Sequence, residues 1–333
     1  MGLPYEGLSS HRASVLLGTA AVHHLILGRG MVSDDTEHTC FTASALIESQ
    51  CELDSFTWLL ARSFRWWLLS CPAGVGLATA RAIVKLWVGF SPLKSGVFSA
   101  GNGPAMRSPL LGVIFADDPK KMKEFVRRSA RITHSDPKAY SGALCAALAA
   151  AISTRQRSIS PSEFLTEVQA IFQDDSDGTI VTLIEQACRS AEANDPVAEF
   201  ARQIGSKRGV SGYILHTIPC VIQTWLRYQQ NYSGGVQEII QAGGDTDTTA
   251  AILGGIIGAG VGKKGIPEEW LNGIIEWPRN LQWMEHLADT LANAAQGQHV
   301  RVPKYCVSGV LLRNILFLII VIGHGLRRLC PPY

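Results

Sequence analysis

The chain has no Cys-x-x-Cys pair and no histidine cluster at zinc spacing, although eight cysteines are scattered between Cys40 and Cys330. Structural zinc of that kind is therefore not indicated. Most of the cysteines fall in apolar helical patterns, where a free thiol behaves as a small hydrophobe, and a reducing, cytoplasmic setting is expected. Charge of one sign is also missing: 30 Lys and Arg against 28 Asp and Glu leave +2, and composition suggests no nucleic-acid patch. No stretch alternates apolar and polar residues as a strand would, and no fixed repeat is present. The start, Met1-Gly2-Leu3-Pro4-Tyr5-Glu6, has no basic segment followed by an apolar run, so no secretory leader is expected. Glu6 stands where N-myristoylation needs Ser or Thr.

What is present is apolar and helical. Of 333 residues 47% are hydrophobic, enough for a sizeable core. Apolar positions recur at three- and four-residue steps through most of the chain, which predicts an all-α, compact single-domain helical bundle over 1–300 and an apolar helix with a basic tail over 301–333. Residues 1–35 read as loop with one short helix around 13–26. The aromatic residues Trp58, Phe64, Trp66 and Trp67 read as core, and 119–132 as a basic helix with a solvated face. Residues 174–178 read as a polar turn. Ser160-Pro161-Ser162-Glu163 has capping-box spacing and marks a helix start.

The most unusual stretch is 241–259, Gln-Ala-Gly-Gly-Asp-Thr-Asp-Thr-Thr followed by small apolar residues. Asp245 and Asp247 sit between a glycine bend and a helix that reads as buried, where an unpartnered carboxylate costs several kcal/mol. Capping the helix explains one aspartate, not two. Asp245, Asp247 and Thr248 are hard oxygen donors of the type that hold Mg²⁺ or Mn²⁺. A second helix start, Ser33-Asp34-Asp35-Thr36, carries the same chemistry, and N-capping with dipole complementation is its bland alternative. Facing one another across a groove, the two starts could bind two divalent ions.

Ser95 to Arg107 is glycine-rich but lacks Gly-Lys-Ser/Thr and the Gly-x-Gly-x-x-Gly setting, so it is neither a P-loop nor a Rossmann turn. Its amides could still cradle a diphosphate; alternatively it is an ordinary loop closed by Arg107 as a salt-bridge donor. His134 lies in a break between helices and by itself reads as structural. The apolar run over 307–326 is interrupted by Arg313 and Asn314 and followed by Arg327 and Arg328, which fits either a packed or membrane-surface helix or an anchor.

Taken together, Ser33-Asp34-Asp35-Thr36, the loop 101–107, Thr133-His134 and 243–248 resemble, in order and spacing, the ADP-ribosylglycohydrolase family, which includes the dinitrogenase reductase activating glycohydrolases. The likeness covers about residues 2–295. It implies a compact all-α fold with a binuclear centre of two Mg²⁺ (Mn²⁺ as the alternative) that hydrolyses the bond between ADP-ribose and an acceptor. By match, Ser33, Asp34, Asp35, Asp245, Asp247 and Thr248 resemble the metal ligands, with Asp35 and Asp247 also catalytic. Ser99, Gly101, Asn102 and Gly103 resemble the loop around the diphosphate and distal ribose, and His134 a histidine that contacts ADP-ribose. Glu6 resembles the glutamate that approaches the scissile bond. Family members carry a helix and a Gly-Asp-Ala-type segment ahead of Gly2, and that first helix is expected to be missing here.

The resemblance implies a monomer acting on an ADP-ribosylated protein or small molecule; a nucleic-acid acceptor stays open, as does membrane-surface contact through 307–328. The alternatives are an ADP-ribose-binding module without turnover and a membrane-associated scaffold organised by the C-terminal helix.

Overall fold

A computed structural model describes residues 1–9, 12, 15, 18, 22–173 and 178–327. Among them are sixteen α-helices: α1 Asp34–Ser49, α2 Leu53–Leu69, α3 Leu77–Trp87, α4 Pro92–Ser95, α5 Ser108–Ile114, α6 Pro119–Thr133, α7 Pro137–Arg155 and α8 Pro161–Ile171, then α9 Thr179–Glu192, α10 Val197–Gln203, α11 Ile214–Arg227, α12 Tyr232–Gln241, α13 Thr246–Val261, α14 Glu268–Asn272, α15 Leu281–Ala295 and α16 Val307–Arg327. Only isolated bridges join extended segments among the described residues, so the fold is all-α as the periodicity predicts. Half of the expected helix over 13–26 falls outside the described residues; within it Val15 is helical and 22–26 are not. Of the expected turn at 174–178 only Gly178 is described, as a turn residue, and Arg328 lies outside the described residues.

The centre is built from helices with no polar side. In α7 an alanine run from Ala143 to Ala151 is buried throughout, because small side chains let neighbouring helices approach from every direction. α5, α6, α11 and α13 pack around it, and α13 brings its own apolar run, Ile252, Leu253, Ile256 and Ile257, into the same core. α1 packs between α2 and α15. The capping box at Ser160 forms as read: its hydroxyl accepts from Glu163 N–H while the Glu163 carboxylate accepts from Ser160 N–H.

On α2 the aromatic reading needs correction. Phe56, Leu60, Phe64 and Trp67, spaced by four, four and three, face the core, whereas Trp58 and Trp66 are 56% and 64% exposed. Both tryptophans fall outside the arc that those steps define, and Trp66 packs edge-on against Trp87 of α3.

α16 lies against the domain through the two residues that break its apolar run. Arg313 and Asn314 are buried, and Phe317 joins Leu25 and Ala73 in a small satellite core. Leu312, Ile315, Ile319 and Ile322 remain exposed on its other side. By length and composition alone the helix could cross a membrane.

Candidate functional site

Two helix starts converge. Ser33 is extended and Asp34 opens α1, with Asp34, Asp35 and Glu37 in the first turn. Peptide N–H groups there have no carbonyl partner and favour negative charge. Ser33 does not spend its hydroxyl on a cap; it donates to Asp35 Oδ2 at 2.7 Å. α13 starts after a glycine pair, Gly243 and Gly244, whose φ values of 74° and 89° suit glycine. Gly244 lies so close to Val210 that a Cβ would run into the Val210 carbonyl oxygen. Val210 N–H donates to Gly243 O at 2.9 Å and Asp245 N–H to Val210 O at 2.7 Å; Gly7 N–H donates to Gly244 O at 2.7 Å. This knot turns Asp245 and Asp247 inward. Asp245, at the cap position, makes no capping bond with its side chain.

The carboxylates form two groups that share one member. Asp34, Asp35 and Asp247 present oxygens all within 4.8 Å of one another, and so do Glu6, Asp245 and Asp247. Residues that are more than 200 positions apart in sequence thus meet at Asp247. Among the described residues no Lys or Arg forms a salt bridge with Asp34, Asp35, Asp245 or Asp247. Oδ1 of Asp35 and Oδ1 of Asp247 are buried without a hydrogen-bond partner. Unpartnered buried carboxylate oxygens are costly, and two of them on members of one carboxylate group suit a divalent cation.

Electrostatics follow from this crowding. Burial lifts Asp34 well above the usual carboxylate range, with the charges of Asp35 and Glu37 adding to it. Asp35 is pushed up to about 6 by burial, while the hydroxyls of Ser33 and Thr248 act to lower it. Asp247 is also raised well above its ordinary value, first by burial and then by Asp35, Glu6 and Asp245. A cavity of about 400 Å³ opens beside Asp35 and Thr36, and one of about 290 Å³ beside Ser33 and Asp247.

The glycine loop approaches from the other side. Asn102 Nδ2 donates to Asp245 Oδ2 at 2.7 Å and to Thr217 Oγ1 at 3.1 Å, while its N–H donates to Gly212 O at 3.1 Å. Gly101 and Gly103 sit over the His134 ring, where a Cβ on either would come within 3.0 Å of it, and Ser99 lies alongside Gly101. His134 is buried, and burial followed by the Arg107 charge lowers its pKa to about 3, so the imidazole is neutral near pH 7. Arg107 Nη2 donates to Thr133 Oγ1 at 3.0 Å, and Thr133 Oγ1 lies 2.9 Å from His134 Nδ1. The Thr133 hydroxyl thus holds the Nδ1 edge of the ring and leaves Nε2 beneath Gly101.

Arg107 is not the salt-bridge donor of the alternative reading of this loop. Fully buried, with its pKa lowered to about 9 by that burial, it donates to Gly103 O, Ser129 O and Ser129 Oγ at 2.8 Å each, and these, like Thr133, are neutral acceptors. Its planar fork ties the loop to α6. Sequence reasoning also missed Thr217, the Val210 contact, and Glu37, which pairs with Arg279 behind the cluster and accepts from Trp67 Nε1 at 2.9 Å. No local pattern marks these residues; each acts through a partner distant in sequence.

The sequence model of the ADP-ribosylglycohydrolase family matches residues 1–301. An uncharacterized protein of Archaeoglobus fulgidus is 29% identical over 314 residues, covering 91% of this chain and 94% of its own length. An ADP-ribosyl-(dinitrogen reductase) glycohydrolase of Rhodospirillum rubrum is 27% identical, covering 74% of this chain and 75% of its own. The ADP-ribosylhydrolase ARH3 of Gallus gallus is 26% identical over 59% of this chain and 61% of its own. A solved ADP-ribosylglycohydrolase-related protein complex superposes with a TM-score of 0.61 at 20% identity, covering 90% of this chain and 93% of that one, which is a likeness of fold. With a family match over residues 1–301, the chain belongs to the ADP-ribosylglycohydrolase family.

Proposed function

We propose that this protein is a metal-dependent hydrolase that removes ADP-ribose from a modified acceptor by cleaving the glycosidic bond at the proximal ribose. The observation that carries it is the pair of carboxylate groups sharing Asp247, two of whose buried oxygens have no protein partner. Asp34, Asp35 and Asp247 would hold one Mg²⁺, and Asp245 with Asp247 a second, with Ser33 and Thr248 as hydroxyl donors; Mn²⁺ suits the same oxygens. Bound there, divalent ions supply Lewis acidity toward ribose hydroxyls and water.

The chain's own groups account for the rest. Cleavage at an anomeric carbon passes through an oxocarbenium-like state, so the site must position water, hold the sugar hydroxyls and help the leaving group depart. Glu6, whose carboxylate lies with Asp245 and Asp247, would serve in gating or in acid/base help. Ser99, Gly101, Asn102 and Gly103 would hold the diphosphate and distal ribose, and His134, neutral beneath the loop, would contact ADP-ribose. Asn102, which bonds Asp245, joins nucleotide recognition to the acidic cluster.

The experiment is release of ADP-ribose from a panel bearing it on arginine, serine, a nucleic-acid end or a small molecule, after EDTA treatment and again with Mg²⁺ restored. Release from at least one member, lost with EDTA and regained with Mg²⁺, is expected. Binding of ADP-ribose with no release from any member would instead assign a binding module.

A further inference from the structure

The family pattern ends at residue 301, yet α16 reaches back to the segment that carries the first acidic pair. Val32 immediately precedes Ser33, and both of its backbone polar groups are held by one buried ion pair. Val32 N–H donates to Glu276 Oε2 at 3.0 Å, and Arg313 Nη2 donates to Val32 O at 2.6 Å. Arg313 and Glu276 close the ring on each other: Nε to Oε1 and Nη2 to Oε2, both at 2.8 Å. Each side chain is about as buried as the core, at 3% and 4% exposure.

This arrangement has a direct consequence for the site. Fixing the N–H and the C=O of Val32 fixes the two peptide planes that flank it, and the second plane leads into Ser33. Ser33 is the residue whose hydroxyl holds Asp35, and Asp34 follows it as the first residue of α1. Gly30 adds a further tie, donating to Gly273 O at 3.0 Å and accepting from Ile275 N–H at 2.8 Å. On the far side, Asn314 Nδ2 donates to Ser70 O and Ser70 Oγ at 2.9 Å, which pins α16 to the end of α2. A planar, bidentate guanidinium is needed to serve a carboxylate and a carbonyl together.

We infer that Arg313, acting through Glu276 and Val32, is a positioning residue for Ser33, Asp34 and Asp35, so that the C-terminal helix completes the metal site without touching it. The inference rests on reading the acidic cluster as a Mg²⁺ site. It assigns the two polar residues that interrupt the apolar helix a function in the hydrolase rather than at a membrane.

The test uses the full chain with Arg313→Met, Arg313→Lys and the double variant Arg313→Met/Glu276→Leu. The single Met variant leaves Glu276 buried and uncompensated and is expected to lose stability; the apolar double variant removes that charge and keeps the fold. Mg²⁺ affinity is read by calorimetry, and amide hydrogen exchange over 31–36 is read without metal. Loss of a group hydrogen-bonded directly to a metal ligand weakens metal binding by about 10–100-fold; Arg313 and Glu276 act one residue removed, through Val32, so a loss near the lower end, about tenfold, is expected in the double variant, with Lys intermediate. Faster exchange confined to 31–36 should accompany it. A folded double variant that binds Mg²⁺ as the parent does, or exchanges at the parent rate there, overturns the inference while leaving the hydrolase reading intact. A parent chain that takes up no Mg²⁺ overturns the metal reading and this inference with it.

Discussion

Asn102 and Asp245 are joined by a 2.7 Å hydrogen bond, so the glycine loop and the second acidic pair form one unit. Asn102→Ala removes that bond and the one to Thr217. A hydrogen bond to a charged group contributes about 1.5–3 kcal/mol, so kcat/KM for an ADP-ribosylated substrate should fall by roughly tenfold to a hundredfold. Steady-state kinetics at saturating Mg²⁺ checks it. Asn102→Asp, which sets a carboxylate against Asp245, should be worse than Ala; equal or better activity would refute the coupling.

Asp247 belongs to both carboxylate groups, and its ionised form is disfavoured by burial and by three neighbouring acids. Asp247→Asn should therefore abolish turnover yet raise the melting temperature of the EDTA-treated protein. Mg²⁺ should raise the melting temperature of the parent and leave the variant unchanged. Scanning calorimetry with and without Mg²⁺ gives both comparisons, and a variant that still responds to Mg²⁺ would contradict the assignment.

His134 supplies a pH prediction. Its pKa is lowered from an ordinary 6.5 to about 3, so the unfolded chain takes up a proton below about 6.5 that the folded chain refuses until about 3. The stability it contributes is complete above pH 6.5 and declines as pH falls through that window. At about 1.4 kcal/mol per pH unit, the parent should lose roughly 2 kcal/mol more than His134→Gln between pH 6.5 and 5. Urea unfolding of both proteins at those two pH values measures the difference, and parallel curves would refute it.

Gly244 combines a φ of 89° with a Cβ direction aimed at Val210 O. Gly244→Ala should cost about 1–3 kcal/mol in stability from backbone strain, with further loss if the Val210 to Asp245 bond breaks. Because that bond turns Asp245 inward, Mg²⁺ affinity should fall along with the urea midpoint. An alanine variant with parent stability and affinity would show that the turn can relax without moving the site.

The sequence alone determined the class of fold, the position of most helices and the acidic motifs that supply the candidate site. Those features are local: helical periodicity spans four residues, the Ser160 capping box closes within three, and Ser33-Asp34-Asp35 and Asp245-Thr246-Asp247 are short motifs that keep their chemistry wherever they are placed. Which aromatic residues are buried on α2 was not legible, because Trp58 and Trp66 differ from Trp67 only in the side of the helix that neighbours cover. The tertiary structure alone decided that Asp34 and Asp35 reach Asp247, that Arg107 serves neutral acceptors, and that Arg313 and Asn314 turn into the domain. Each of those contacts joins segments held together by helix packing, and packing between distant helices depends on the whole core rather than on any window of the chain.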